Sequence, residues 1–489
     1  MKTILSIIFG VATLTRNIPH AQAAPEVNRI TYLPGLDNSS FPLFPMYSGY
    51  INVNLDPTNQ QELFYWHVQS NNTPNNDPLV FWNTGGPGCS SLYALLTEHG
   101  PLSINPDGKT LSLNPYSWNL AGSNMVYVES PVCVGFSYSV TNNCTTGDDI
   151  AAQSMYLFIK NFINEYPEYN NRPVYLSGES YSGHYTLQIS YLLYTNPLPN
   201  VNFQGFLVGN PSLDGYYDSQ NYWQFMSLHS LAATEEYNDA YTICNGSFTG
   251  NLSPACSQAL STIRSNIPYT NPYNIYAPCN GPPSLDGSCF TMQNVLSELS
   301  ARGEMYGTSI ESKSQTVVPC MNVTPGVVYL NTPEVQTALH VAPQSQIHAW
   351  DVCSSYVNYT QYAATVVPIY QTLKDKVDIL VYSGDVDSCV PYLGTEAAVD
   401  SFGWEVDTPY IRWWIQDQNG LPQRAGFLRK YKSSTNHVAA YATISGAGHM
   451  SPGKEIGKPE AAFTLFQGFI NKGSWPITPP AAPSSPPKK

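Results

Sequence analysis

The chain has 489 residues, a formal net charge of −14 and only 11% charged residues, where an average soluble protein carries about 25%. That acidity excludes the basic field that nucleic-acid binding needs, and an apolar content of 42% excludes a mainly disordered chain. The length points to two domains, or to one large α/β core carrying an insertion.

Taken in chain order, Met1–Ala23 opens with Lys2, runs apolar from Ile4 to Leu14 and reaches Ala21-Gln22-Ala23, the pattern of a secretory signal peptide. Sequons begin at Asn38, Asn71, Asn143, Asn245, Asn251, Asn322 and Asn358, which agrees with secretion. The ten cysteines contain no C-x-x-C pair and suit disulfides better than zinc. No second apolar run is long enough to span a membrane, and 475–489 reads as a Pro-rich tail without an anchor signal.

Short apolar or aromatic runs at 78–82, 173–177, 377–382 and 438–444 each lead into glycine-rich sequence. They predict buried parallel strands, with helical periods following at 185–194 and 461–470. Strand, glycine turn and helix in repetition predict a doubly wound α/β sheet with its site at the carboxyl ends of the strands. Between Asp214 and Val323 the pattern changes to cysteines, sequons and a Pro/Gly-rich stretch, with helical patches at 216–228 and 292–299. The expected division is therefore 24–213 and 324–474 for the two parts of the core and 214–323 for a disulfide-stapled cap.

Four turns carry chemistry. Gly178-Glu179-Ser180-Tyr181-Ser182-Gly183 sits between a predicted strand and helix, the setting of a nucleophile elbow, with the N–H of Tyr181 available to an oxyanion. Ser383-Gly384-Asp385-Val386-Asp387 supplies a carboxylate to orient a base, with Asp387 chosen over Asp385. Gly446-Ala447-Gly448-His449-Met450 delivers His449 as that base. Ser, Asp and His in this chain order match an α/β-hydrolase, and together they turn a weak hydroxyl into a nucleophile. Asn83-Thr84-Gly85-Gly86-Pro87-Gly88-Cys89 can aim a backbone N–H at the developing charge. That loop lacks the lysine of a phosphate loop, and Gly446-Ala447-Gly448 is no dinucleotide fingerprint because Ser451 holds its third glycine place; no cofactor and no metal are expected.

With these residues in place the chain resembles the serine carboxypeptidase family of α/β-hydrolases along nearly its whole length. The resemblance includes Ser48-Gly49-Tyr50-Ile51, Leu63-Phe64-Tyr65-Trp66, the Gly85–Ser91 loop, Ser130-Pro131 through Ser139, the elbow, the Asp387 and His449 turns, and Ala425-Gly426. It implies Ser180 as nucleophile, His449 as base, Asp387 as its orienter, and the N–H groups of Gly86 and Tyr181 as the oxyanion hole. It also implies that Glu98, Glu179, Thr84 and Gly85 bind the terminal carboxylate of a peptide. The two acids can do so only when protonated, which favours acid pH. Met450 resembles a wall of the leaving-residue pocket, and Cys89 with Cys353 and Cys244 with Cys256 resemble family disulfides. The pairing of Cys133, Cys144, Cys279, Cys289, Cys320 and Cys389 stays open.

Thr84 departs from the family's asparagine, and Asn83, one place earlier, would point the opposite way. Threonine there is similar to an acyltransferase branch of the same family, so an acyltransferase or esterase with the same triad is the alternative. A catalytically dead binding protein on the same fold would lack a triad member, and none is missing. The expected partners are peptides with a free C-terminus, acting on a monomer or homodimer, secreted or held in a vacuole-like compartment.

Overall fold

A computed structural model of the chain describes residues 25–37, 44–55, 58–265, 267, 269–282, 309–310 (backbone only), 318–417 and 419–481. The expected signal peptide, Asn38, Cys289, the helical patch at 292–299 and the last eight residues of the tail lie outside these.

The main sheet contains β1 (Met46–Asn52), β2 (Gln61–Val68), β3 (Leu79–Asn83), β4 (Asn124–Val128), β5 (Pro173–Glu179), β6 (Asn202–Gly209), β7 (Asp378–Gly384), β8 (Val406–Gln416), β9 (Pro422–Tyr431) and β10 (Ala439–Ile444). Their order across the sheet is β1-β2-β4-β3-β5-β6-β7-β10-β9-β8. The six central strands from β4 to β10 run parallel, and the strands at both edges are antiparallel. This is the mixed, doubly wound sheet of an α/β-hydrolase.

The central strands read as continuous apolar runs because both of their faces are covered. Along β3 the side chains alternate: Leu79 and Phe81 enter one core while Val80 and Trp82 enter the other. The first core holds α2 (Asp148–Glu165) and α3 (Ser182–Thr195) through residues such as Phe158, Phe162 and Tyr185. The second holds α1 (Ser91–Thr97) through Leu92 and Leu95 and packs Trp118 flat on Phe466 of the helix Pro459–Ile470, with ring centroids 4.0 Å apart. Within 214–323, α4 (Gly215–Leu228), α5 (Thr234–Ile243) and α6 (Pro254–Arg264) form a separate small core around Trp223, Phe225 and Cys244.

The strands β1, β2, β4 and β6 and the β8–β9 hairpin have no counterpart among the four expected strands. Most of β8 is exposed or half-buried, so it lacks the dense apolar run that marks the centre of the sheet. Its signal was the Asn419-Gly420 turn between two β-branched and aromatic segments. Four disulfides close the described chain: Cys89–Cys353, Cys133–Cys144, Cys244–Cys256 and Cys279–Cys320. The second and fourth settle pairings that the sequence left open. Among the described residues no helix is long and apolar enough to cross a membrane.

Candidate active site

β5 ends at Glu179 and α3 begins at Ser182, so the chain must reverse within two residues. Ser180 takes φ 62°, a left-handed conformation that costs a non-glycine residue on the order of 1–3 kcal/mol and persists only where its surroundings over-determine it. Here three backbone bonds do so: Ser180 N–H to the Gly209 carbonyl (3.0 Å), and the N–H groups of Gly183 (2.9 Å) and Ser212 (3.0 Å) to the Ser180 carbonyl. Gly178 is required by the same turn, since a Cβ there would stand 2.0 Å from Ser182 Oγ and 2.4 Å from the Asn83 carbonyl oxygen. Ser182 fits its place by burying its hydroxyl against Thr186 Oγ1 at 3.0 Å.

Asp387 follows β7, and its Oδ2 lies 2.7 Å from His449 Nδ1. It also accepts from Asn210 Nδ2 (2.9 Å) and from the N–H groups of Cys389 (2.7 Å) and Val390 (3.3 Å). Asp385 does other work: its Oδ1 accepts the Gly446 N–H at 2.6 Å and ties down the loop that carries His449. The His449 N–H donates to the Tyr273 carbonyl at 2.7 Å, which fixes the base from the side of the insertion. Ser180 and His449 line one cavity.

Asn210 was missed in the sequence. It is fully buried, and while Nδ2 holds Asp387 its Oδ1 accepts from the Gly384 N–H (3.1 Å) and Ser451 Oγ (2.9 Å). One amide thus locks the Asp and His loops together. Its only sequence signal is Gly209-Asn210-Pro211 at the end of β6, beside the strand that bears Asp387.

The glycine-rich loop after β3 presses against the elbow. A Cβ on Gly85 would stand 2.4 Å from Tyr181 N, so only glycine lets the loop lie this close to the Tyr181 N–H. Gly86, at φ 115°, lines the same space. Thr84 lines the same cavity, and its Oγ1 accepts the Trp82 indole N–H at 2.9 Å. Asn83 points away, its Nδ2 3.7 Å from Met155 Sδ on α2.

Glu179 lines the cavity and Glu98 lies beside it; their relative exposures are 3% and 2%. Both oxygens of Glu98 and Oε2 of Glu179 are buried away from the N–H and O–H donors of the other described residues, and the two carboxyls hydrogen-bond each other. Burial pushes Glu98 up to about 8. Burial, and then the neighbouring Glu98 carboxylate, holds Glu179 well above the usual carboxylate range. The remaining wall is apolar, built from Tyr93, Tyr273, Val318, Val352, Met450 and the Cys89–Cys353 disulfide.

Among the described residues, two groups place metal-ligating atoms close together. In one, Cys133 and Cys144 are already joined as a disulfide. In the other, Asp387 and His449 spend their facing atoms on each other.

The model of the serine carboxypeptidase family matches residues 34–472. The chain is 36% identical to the lysosomal protective protein of Mus musculus, over 92% of this chain and 95% of that one. It is 34% identical to serine carboxypeptidase-like 26 of Arabidopsis thaliana, over 92% and 94%. A crystal structure of a prohormone-processing carboxypeptidase from Saccharomyces cerevisiae shares the fold with a TM-score of 0.68 at 20% identity, covering 93% of this chain and 96% of that one. The chain belongs to the serine carboxypeptidase family and is a serine-type hydrolase of the carboxypeptidase class.

Proposed function

We propose that the protein releases single residues from free peptide C-termini at acid pH through an acyl-enzyme on Ser180. His449 takes the Ser180 proton as Oγ attacks the scissile carbonyl, and Asp387 holds the resulting imidazolium. The N–H groups of Gly86 and Tyr181 receive the negative charge on the carbonyl oxygen. His449 then returns the proton to the leaving amine, and water, activated by the same base, hydrolyses the ester.

The observation that carries the exopeptidase reading is Glu179, a buried carboxyl with a raised pKa next to the nucleophile. Protonated, it donates to a substrate carboxylate, with Glu98 sharing the proton and Thr84 Oγ1 and the Gly85 N–H completing the set. Ionised, the pair repels that same carboxylate. The apolar wall around Met450 favours an uncharged leaving residue.

Replacing Ser180 by Ala removes activity, and a clean preparation that still cleaves would overturn the assignment. At acid pH a C-terminally amidated peptide is the poorer substrate, and KM for its free-acid twin rises as the pH approaches about 8. Equal KM for both across that range would take Glu98 and Glu179 out of carboxylate binding. An added alcohol or amine acceptor tests the acyltransferase reading, which requires transfer to exceed hydrolysis at modest acceptor concentration.

An oxidising location, secreted or vacuole-like, fits the four disulfides. Asn71, Asn143, Asn245, Asn251 and Asn322 are exposed enough to carry sugar, whereas Asn358 is half-buried in a short strand.

A further inference from the structure

We propose that Asp148 is a positioning residue for the oxyanion hole, holding the Tyr181 ring and through it the backbone N–H that receives the developing charge. The proposal rests on the hydrolase reading of the site. Asp148 is the first residue of α2 and is 2% exposed. Its Oδ1 accepts the phenol O–H groups of Tyr181 (2.7 Å) and Tyr359 (2.8 Å), and its Oδ2 accepts the N–H groups of Tyr362 (2.8 Å) and Ala363 (3.2 Å). The two backbone groups can only donate, and the start of a long helix adds its positive end, so the site is built for an acceptor on every side.

The Tyr181 ring is clamped as well as tethered. It stacks on His184 with centroids 4.8 Å apart and 12° between planes, and meets Tyr185 and Tyr359 edge-on. Burial pushes its phenol far above the usual range, so it remains a donor. At the other end of the same residue the backbone N faces Gly85 across the elbow. Ser180 sits in a strained φ, and a peptide plane next to a strained residue holds its direction only if its neighbours are fixed. The bond from Tyr181 to Asp148 supplies one such fixed point, with the carboxylate anchored to α2 and to the 359–363 segment.

The test compares D148N, Y181F, the double variant and Y359F, which removes the other phenol from the same oxygen. Each is measured for kcat and KM on one peptide and for the rate at which a fluorophosphonate labels Ser180. D148N and Y181F should each lower kcat and labelling about tenfold with little change in KM, a part of what deleting an oxyanion donor costs. The double variant should be no worse than either single change, as coupling through one bond requires. Y359F should lower the melting temperature and leave the labelling rate near that of the parent. Y181F labelling at the parental rate, or Y359F slowing it as much as Y181F, would overturn the proposal. If D148N does not fold, the two tyrosine variants decide it. A parent that labels but releases no C-terminal residue would sink the exopeptidase reading while leaving the labelling comparison intact.

Discussion

Two walls of the same cavity, at His449 and at Glu179, are backed by buried carboxyls with opposite surroundings. On one, Asp387 accepts from an amide and two backbone N–H groups while facing His449. On the other, Glu98 and Glu179 are just as deeply buried, but they hydrogen-bond each other instead of a ring of N–H donors. Burial alone favours the neutral form of a carboxyl; a ring of donors reverses that. The two walls therefore differ in what surrounds their carboxyls: donors crowd Asp387, whereas burial, and for Glu179 the neighbouring Glu98 carboxylate, raises the proton affinity of Glu98 and Glu179.

Replacing Asp387 by Asn should break the first wall most severely. The new amide nitrogen meets neighbours that are themselves donors and forces His449 into the wrong tautomer, so kcat should fall on the order of 10⁴-fold, as for the same substitution in a related triad, with the fold retained. A kcat within tenfold of the parent would show that Asp387 is not the orienter. Gly85→Ala should cost about 10²–10³ in kcat, because the added methyl occupies the approach to the Tyr181 N–H. Unchanged kcat in a correctly folded variant would remove that N–H from the oxyanion hole.

The smallest effect is on stability, and it sharpens the contrast from the protonated side. Glu98 is pushed up to about 8 and Glu129 to about 7, chiefly by burial, from an ordinary value of 4.5. A carboxyl with a raised pKa in the folded state binds its proton more tightly there than when unfolded. Its contribution is complete below about 4.5 and is lost as the pH rises through 7 to 8. Chemical denaturation across that window should show stability falling by about 1.4 kcal/mol per pH unit for each such group. Glu129→Gln, which keeps the size of a side chain that accepts from Ser90 Oγ and the Leu92 N–H, should flatten the slope. An unaltered slope would contradict the raised value.

Four of the six central strands were legible because a strand buried on both faces is apolar at most positions; β4 and β6 were not among those expected. The runs at 78–82, 173–177, 377–382 and 438–444 correspond to β3, β5, β7 and β10 within a residue or two. The edge hairpin β8–β9 was not, since an edge strand wetted on one face mixes polar and apolar residues and loses that signature. Ser180, Asp387 and His449 stood out through glycine-flanked turns at strand ends, which is local information. Asp148 had no such flag, and Asn210 had only the Gly209-Asn210-Pro211 turn after a strand that was not itself expected: each bonds a residue far away in the chain, Tyr181 and Asp387, and an isolated Asn or Asp looks like a turn or a helix cap.

What the sequence determined by itself was the low charge density, the α/β class and the chemical types placed at four turns, because composition, hydrophobic period and turn chemistry are properties of neighbouring residues. Only the tertiary structure decided which carboxyls are ringed by donors and which face each other. It also decided which backbone N–H lies against Gly85 and which cysteines pair. Proton affinity and hydrogen-bond supply depend on what the fold brings to a buried group from distant segments.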